Sequence, residues 1–239
     1  HVCIDYRPAL HEATGVGTYV RGLLRGLAEI PSDDRYTAFS ASLRHQLRLP
    51  ADLSGRVEPL DVRFPVRVLD WLWHRHAWPP VELWSGPVDV AHSPSPMLLP
   101  ARRARRLITI HDCYFLRHPE DVEGPVRRDY VPLVARAAAR ADAILTVSDT
   151  TRDEIVELLA VDPGRIHVTP LAVEPEFRPA EPPGEKERAA LGVPPRYLLF
   201  VGRREPRKGL DTLLSAFAEV VAEEPGLELV LVGPGGLRW

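Results

Sequence analysis

Three stretches of this sequence carry residue types that bind phosphates or sugars. Residues 15–17, Gly-Val-Gly, open an amphipathic stretch, and paired glycines there let free backbone N–H groups approach a phosphate or a hydroxyl. His111 and Asp112 directly follow an apolar run. Residues 202–209 place three arginines and a lysine immediately before another amphipathic stretch. Each of these stretches is a candidate binding site.

The cations of residues 202–209 give the strongest of the three signals. Arg207 and Lys208 stand where a helix begins, and the helix dipole disfavours a cation there by about 0.3–1 kcal/mol. The cluster becomes favourable when a polyanion such as a diphosphate binds between the helix N-terminus and the basic side chains. Gly202 leaves room for that anion. The alternative is that Arg203 and its neighbours extend into solvent.

The other candidates have stronger structural alternatives. His111 can hydrogen-bond a substrate, or it can be a satisfied structural histidine. The glycines can equally form a tight turn, and they fail the dinucleotide fingerprint because Val20 stands where its third glycine belongs. Ser148 precedes acidic residues, so a helix cap is the favoured interpretation. Since no further His or Asp set follows His111 and Asp112 at metal-ligand spacing, we expect no metal.

These residues need a scaffold that places them at one edge. Short β-rich runs alternate with helical periodicity, as in residues 16–27 and 210–221, which predicts an α/β fold with a mainly parallel sheet. Ligands bind at the carboxyl ends of parallel strands, where the candidate loops lie. Near-continuous apolar runs at 197–201 and 227–232 predict strands covered on both faces. The predicted strands are residues 2–6, 36–41, 57–62, 88–92, 107–111, 143–147, 166–170, 197–201 and 227–232.

A change of composition divides the chain. Residues 174–195 hold six prolines and no periodic pattern, so they are predicted to be a linker after a first domain of residues 1–173. Residues 196–239 begin a new strand–helix–strand pattern. They are too few for an α/β domain, which needs about 100 residues, so we expect them to be the start of a second, truncated domain.

Composition narrows the class of protein. Apolar residues make up 45% and charged residues 26% of the 239, with a net charge of −3, which is typical of a soluble globular protein and excludes a disordered chain. No signal peptide, membrane span or basic tract is visible, so we expect a cytoplasmic protein that does not bind nucleic acid. Cys3 and Cys113 are too few for a disulfide framework and are predicted to be reduced thiols.

Aromatic and basic residues also occur together. Four tryptophans, at positions 71, 73, 78 and 84, lie among histidines and arginines. A helix facing the core is the favoured interpretation, and contact with a membrane surface is the alternative. The arginines at 102–106 predict a solvated turn, with anionic lipid as the alternative. Peripheral contact at the inner face of the cell membrane therefore stays open.

Taken together, these stretches resemble retaining GT-B glycosyltransferases of family 4. The similarity runs from residue 2 to residue 236, in order and at fitting spacing. Residues 205–208, Glu-Pro-Arg-Lys, are similar to the form found in bacterial mannosyltransferase-like members. The matching stretches are residues 15–24, 88–94, 109–112, 144–148, 168–171 and 200–209.

The resemblance implies two Rossmann-like domains across a cleft, the second of which holds most of the nucleotide sugar. His111 would contact the transferred sugar. Arg207 and Lys208 would neutralise the diphosphate leaving group, so that no metal or other cofactor is needed. The leaving phosphate would take the acceptor's proton. The donor-binding residues that the resemblance implies are Gly15, Val16, Gly17, Asp112, Ser148, Gly202 and Arg203.

The implied function is transfer of a hexose, with mannose as one candidate, from a nucleotide diphosphate sugar to a glycan or lipid-linked acceptor with retention of configuration. A nucleotide-sugar epimerase of the same architecture, and a non-catalytic half that pairs with another chain, are the alternatives. The acidic Glu-x7-Glu segment of the family lies beyond the last residue. We therefore expect the 239-residue chain alone to be inactive.

Overall fold

The computed structural model describes residues 1–10, 14–121, 130–204 and 206–233. The chain divides into two compact units, His1–Glu174 and Pro175–Trp239. The described part of the first unit contains a seven-stranded sheet, and that of the second contains a two-stranded sheet. All the strand pairs are parallel.

The larger sheet has the strand order β3-β2-β1-β4-β5-β6-β7. The order changes direction between β1 and β4, which is where ligands bind in open parallel sheets. The predicted α/β fold is confirmed, and the ends of the predicted strands differ from the observed ones by at most two residues. The seven strands are β1 (Val2–Asp5), β2 (Tyr36–Ala41), β3 (Val57–Val62), β4 (Val90–Ser93), β5 (Arg105–Ile110), β6 (Ala143–Thr146) and β7 (Ile166–Val168).

Helices pack on both faces of this sheet. Successive side chains of a strand point to opposite faces. Accordingly, Ile4 of β1 packs with Leu24 of the first helix, whereas Cys3 packs with Trp73 of the second. The sheet is thus the middle of three layers, as its apolar strands predict. The helices of this unit are α1 (Gly15–Glu29), α2 (Val66–His76), α3 (Glu82–Ser85), α4 (Tyr114–Arg117), α5 (Val131–Arg140) and α6 (Asp149–Leu159).

The tryptophan-rich stretch forms α2 and the segment after it. Trp73 is buried, and Trp84 packs against the same core, which confirms the expected core-facing helix for these two residues. Trp71 and Trp78 are instead 59% and 55% exposed. Half of the aromatic residues of this stretch therefore lie at the surface.

The second unit contains a short helix inside the predicted linker. Residues 185–191, within the linker range 174–195, form α7 (Glu185–Leu191), an element that the sequence analysis did not predict. The Glu187 carboxylate accepts a hydrogen bond from the Gly184 backbone N–H at 3.1 Å. This contact and good helix formers between the prolines stabilise a short helix despite the lack of apolar periodicity.

The two-stranded sheet of this unit is largely exposed. It consists of β8 (Tyr197–Val201) and β9 (Glu228–Val232), joined by α8 (Leu210–Glu223). Both strands were expected to be covered on both faces, but Val201 and Val232 are 70% and 50% exposed. Among the residues described in this unit, Leu210 is the only buried apolar one. Two strands and α8 leave much of the apolar surface uncovered.

Candidate active site

The amino-terminal end of α1 contains both glycines of the predicted loop. Thr14 caps the helix, because its hydroxyl accepts the Gly17 N–H at 3.0 Å. A Cβ atom on Gly17 would lie 2.8 Å from the Pro8 carbonyl oxygen, whereas a Cβ on Gly15 would meet no described atom within 4 Å. Val16, between them, packs against the core. Gly17 is therefore required for packing, whereas Gly15 is exposed, and its contact with a ligand stays a prediction.

His111 lies at the carboxyl end of β5 and is half-buried. Its Nε2 atom lies 3.1 Å from the Pro94 carbonyl oxygen. Since a carbonyl oxygen can only accept, Nε2 carries a proton and donates. Burial lowers the pKa of His111, and this outweighs the opposite effects of the Pro94 carbonyl and Asp112. The ring is therefore neutral near pH 7, and its Nδ1 atom keeps a lone pair that can accept a hydrogen bond.

Tyr19, His92 and Thr109 adjoin His111. All three lie within the stretches that carry the family resemblance, but none of them was predicted to be a site residue. The Tyr19 ring lies edge-on to the His111 ring, with centroids 4.7 Å apart and an interplanar angle of 83°. The Tyr19 hydroxyl is 3.4 Å from Thr109 Oγ1, which is 2.9 Å from His92 Nε2. Burial, and secondarily the nearby His111, lower the pKa of His92 to about 4. The signal in the sequence was that two apolar strands each contain a polar residue, His92 in β4 and Thr109 in β5.

A buried ion pair lies at the carboxyl end of β1. Asp5 accepts from Arg7 at 2.7 Å, and a second Arg7 nitrogen donates to Asp70 of α2 at 2.8 Å. The guanidinium also lies 4.5 Å from the centre of the Trp73 ring. Burial lowers the pKa of Arg7, but the two carboxylates outweigh it, so the net pKa is raised and the charge is kept. These contacts tie α2 to β1 beside the point where the strand order changes.

Asp112 and Ser148 both stabilise local backbone. The Asp112 carboxylate accepts the Tyr114 N–H at 3.2 Å, at the start of α4. The Ser148 hydroxyl accepts the Thr151 N–H at 3.1 Å and caps α6, as expected. Both residues follow the carboxyl ends of strands, so their contact with a donor stays a prediction beside these structural roles.

In the second unit, the carboxyl ends of β8 and β9 meet at two glycines. The Gly202 N–H donates to the Val232 carbonyl oxygen at 2.9 Å. Gly233 has a φ of +148°, and a Cβ atom there would clash with the Gly202 carbonyl. Gly233 was not identified from the sequence, although it opens a glycine-rich run after an apolar strand. Both strands are therefore followed directly by a residue without a side chain.

The predicted basic residues follow directly. Arg203 lies in the loop after β8, and a 3-10 turn, Pro206–Lys208, leads into Gly209 at the start of α8. Arg203, Arg207 and Lys208 are exposed. Together with Gly202, they lie at the carboxyl end of β8 and the N-terminal end of α8, as predicted. His111 and these cations belong to different units.

No group of three His, Cys, Asp or Glu side chains in the described part of the chain lies close enough to hold a metal ion. Cys3 and Cys113 are free and buried, and burial raises the pKa of each thiol to about 12. Within the described ranges, no helix has the length and apolar content that crossing a membrane requires.

The sequence matches two known family patterns. Residues 13–177 match Glycosyltransferase Family 4, and residues 184–238 match Glycosyl transferases group 1. The first match covers more than half of the chain. The chain belongs to glycosyltransferase family 4.

Curated relatives of this family 4 chain include proteins named D-inositol 3-phosphate glycosyltransferase. The one from Acidothermus cellulolyticus is 38% identical over 124 residues, which are 49% of this chain and 27% of the relative. The one from Stackebrandtia nassauensis is 30% identical over 173 residues, which are 70% of this chain and 35% of the relative. The chain thus spans about a quarter to a third of the length of these two relatives.

Solved structures share the fold. A sucrose-phosphate synthase from Thermosynechococcus elongatus matches with a TM-score of 0.64 at 17% identity, over 97% of this chain and 62% of that chain. A glycosyltransferase involved in lipopolysaccharide biosynthesis also matches at 0.64, with 15% identity, over 98% and 63%. The likeness confirms that the family 4 chain has the α/β fold of GT-B glycosyltransferases.

Proposed function

We propose that this family 4 protein transfers a hexose from a nucleotide diphosphate sugar to an acceptor with retention of configuration. Mannose is the first sugar to test, and the acceptor is a glycan or a lipid-linked molecule. The basic segment 203–208 is the observation that carries the proposal. A departing diphosphate needs fixed positive charge, and this segment supplies it at a helix N-terminus beside two side-chain-free strand ends.

In this proposal the two units bind different substrates. Residues 1–173 form the acceptor-side domain, residues 174–195 with α7 form the linker, and residues 196–239 begin the donor-binding domain. The division between Glu174 and Pro175 supports these bounds. The change from one family pattern to the other between residues 177 and 184 supports them as well.

Arg207 and Lys208 neutralise the leaving diphosphate in the proposed reaction. Charge-assisted hydrogen bonds from a guanidinium and an ammonium group to phosphate are each stronger than neutral ones. Their positive charges strengthen the binding most when the negative charge on the phosphate increases, which is in the transition state. Two fixed cations can therefore act without a divalent metal. Gly202 and Arg203 bind the same phosphates from the loop after β8.

His111 orients the transferred sugar rather than exchanging a proton with it. Its Nε2–H is used by Pro94, so its Nδ1 lone pair accepts a hydrogen bond from a sugar hydroxyl. Holding the sugar in a reactive geometry lowers the entropic part of the barrier. Asp112 and Ser148, which follow the carboxyl ends of β5 and β6, line the same edge of the sheet.

In the proposed retaining reaction, the leaving group is the base that accepts the acceptor's proton. The bond between the anomeric carbon and the diphosphate oxygen breaks, and the acceptor oxygen forms its bond on the same face. The departing phosphate oxygen takes the acceptor's proton, so no protein base is required. At Gly15, in the first turn of α1, no described atom lies within 4 Å of a Cβ position, so the acceptor and the donor phosphate can approach backbone N–H groups there.

Two acceptor classes have support. The names of the curated relatives introduce a phosphorylated inositol, a soluble acceptor. The exposed Trp71 and Trp78 favour a lipid-linked acceptor at the inner face of the cell membrane, because tryptophan is enriched at membrane–water interfaces. We propose a cytoplasmic protein with peripheral membrane contact, and the acceptor screen below separates the two classes.

A mass-spectrometric screen tests the proposal. A form of the protein as long as its curated relatives is incubated with each nucleotide diphosphate hexose, together with a lipid-linked sugar, a soluble glycan or an inositol phosphate. Transfer of one hexose to any of these acceptors supports the proposal, and the anomeric configuration of the product tests retention. Conversion of the donor sugar to its epimer without an acceptor would instead support an epimerase. Donor binding without any turnover would support a non-catalytic half.

A further inference from the structure

Three elements of the first unit meet at the His111 ring. Tyr19 lies in α1, one helical turn beyond the exposed Gly15. Thr109 lies two residues before His111 in β5, and His92 lies beside it in β4. Thr109 is fully buried, and His92 is 3% exposed. A polar chain thus runs from α1 through β5 to β4, and its first member, Tyr19, contacts the half-buried His111 ring.

The orientation of the His111 ring decides which atom it can offer. With Nε2 donating to the Pro94 carbonyl, Nδ1 is the acceptor. In the other tautomer, with the proton on Nδ1, the ring would lose the Pro94 hydrogen bond. The ring would then offer a donor where it now offers an acceptor. A contact that limits rotation of the His111 ring therefore determines whether the ring offers an acceptor or a donor to a ligand.

We infer that Tyr19 is a positioning residue that, anchored by Thr109 and His92, fixes the orientation and tautomer of the His111 ring. The inference rests on the proposed function only where it assigns His111 to the sugar. The near-perpendicular contact between the Tyr19 and His111 rings leaves His111 little room to turn. Tyr19 follows Gly15 by one turn, so α1 contains both the glycines at its N-terminal end and the residue that orients His111.

The two polar contacts that anchor Tyr19 differ in length. The 3.4 Å contact from the Tyr19 hydroxyl to Thr109 Oγ1 is long for an O–H···O hydrogen bond, whereas the 2.9 Å contact from Thr109 to His92 is ordinary. The ring of Tyr19 therefore contributes more than its hydroxyl. Loss of the whole ring must disturb His111 more than loss of the hydroxyl alone.

The test measures His111 by ¹⁵N NMR of the histidine-labelled chain, without substrate. Its signals are assigned by their loss in His111→Gln. In Tyr19→Leu we expect both tautomers of His111 to be populated. We also expect the pKa of His111 to rise toward its ordinary value, because a less buried ring pays a smaller penalty for carrying a charge. Its titratable neighbours, His92 and Asp112, are kept in every variant. Tyr19→Phe, which keeps the ring, should give a smaller change in the same direction.

Tyr36→Phe is the matched control, because Tyr36 is a buried tyrosine at the start of β2, and two strands, β1 and β4, lie between β2 and β5 in the sheet. It should leave the His111 signals unchanged. If Tyr19→Leu also leaves them unchanged, the inference is wrong. If Tyr19→Leu fails to fold, Tyr19→Phe and Thr109→Val decide: changed His111 signals support the inference, and unchanged signals in both overturn it.

Kinetics of the longer form separate the inference from the proposed function. Tyr19→Leu should lower kcat about tenfold, with a smaller change in KM, and should cost nothing further in a His111→Gln background. Non-additivity of this kind supports action through His111. A changed His111 tautomer combined with unchanged kcat would overturn the proposed role of His111 in transfer while supporting its positioning by Tyr19.

Discussion

Gly17 and Pro8 approach so closely that no side chain fits on Gly17. A Cβ atom there would lie 2.8 Å from the Pro8 carbonyl oxygen and 3.3 Å from the Cα atom of Ala9. Both of these are backbone atoms, so the neighbouring turn would have to move as a whole. At Gly15 the added Cβ atom would meet no described atom within 4 Å. The two glycines of one short motif thus differ: Gly17 is needed for packing, and no packing contact of this kind is described at Gly15.

The first prediction separates these reasons. Gly17→Ala should lower the free energy of unfolding of the first unit by about 1–3 kcal/mol, because a tightly packed contact must be displaced. Gly15→Ala should change it by no more than about 0.5 kcal/mol. In the longer form, Gly15→Ala should nevertheless raise KM for donor or acceptor. Urea denaturation followed by tryptophan fluorescence, with steady-state kinetics, measures both effects. Equal destabilisation by the two substitutions would contradict this assignment.

The second prediction concerns the cations before α8. In a form of the protein as long as its relatives, the double variant Arg207→Ala, Lys208→Ala should weaken nucleoside diphosphate binding by about 1.5–3 kcal/mol for each charged hydrogen bond lost. Titration calorimetry measures this change. EDTA should leave transfer activity intact, because the two cations supply the charge that a metal would otherwise provide.

The control for this experiment has the same loss of charge elsewhere in the second unit. Lys186→Ala with Arg188→Ala removes one lysine and one arginine from α7, away from the β8–α8 loop in sequence. Nucleotide affinity should not change by more than twofold. Unchanged affinity in the Arg207 and Lys208 variant, or equal losses in both double variants, would count against a diphosphate site at α8.

The alternation of apolar runs and helical periodicity predicted the fold well. All nine predicted strands are present, and Leu24 and Leu210 are buried as their spacing requires. Burial of whole strands was less predictable. The apolar sequences of β8 and β9 predicted strands buried on both faces. Their actual exposure depends on how many elements pack around them, which the sequence of a single strand does not show. Helix α7 was missed because its stability comes from local hydrogen bonding rather than from an apolar face.

The site was predictable only as far as each residue acts alone. His111 and Gly15 were proposed as site residues because residue type and position at a strand or helix end are visible in sequence, and the structure places them at such ends. Tyr19 and Thr109 were missed, since the Tyr19–His111 contact joins residues 92 positions apart in α1 and β5. The traces of this network in the sequence were polar residues inside apolar strands and the position of Tyr19 and Thr109 in stretches that resemble the family. Gly233 was missed because its need for glycine depends on the neighbouring strand.

The third prediction tests contact with a membrane. Arg67, Trp71 and Arg75 are exposed and follow one another at four-residue spacing along α2, so they share one face. Vesicles containing phosphatidylglycerol should bind the chain, and Trp71→Ala with Trp78→Ala should reduce binding at least fivefold. Ile30→Ala, an exposed apolar residue outside α2, should not. Cosedimentation measures binding, and equal recovery of all three proteins would contradict membrane contact at α2.

The last prediction follows from the burial of His92. Its pKa is about 4 in the folded chain, against an ordinary value of 6.5, so between these pH values the unfolded chain binds a proton that the folded chain does not. Stability from His92 is therefore fully present above pH 6.5 and is lost as the pH falls. From pH 7 to pH 5 the loss should be roughly 2 kcal/mol, and the depressed pKa of His111 adds to it in the same direction.

His92→Gln should reduce this pH dependence even if it destabilises the chain at pH 7 through its contact with Thr109. His167→Gln, a substitution of an exposed histidine in β7, should leave the pH dependence as it is. The measurement is the free energy of unfolding at pH 7 and pH 5, from urea denaturation followed by tryptophan fluorescence. The quantity to compare is the difference between the two pH values, because it removes the effect of the lost hydrogen bond. A difference in His92→Gln as large as in the unsubstituted chain would mean that His92 is not held neutral by burial.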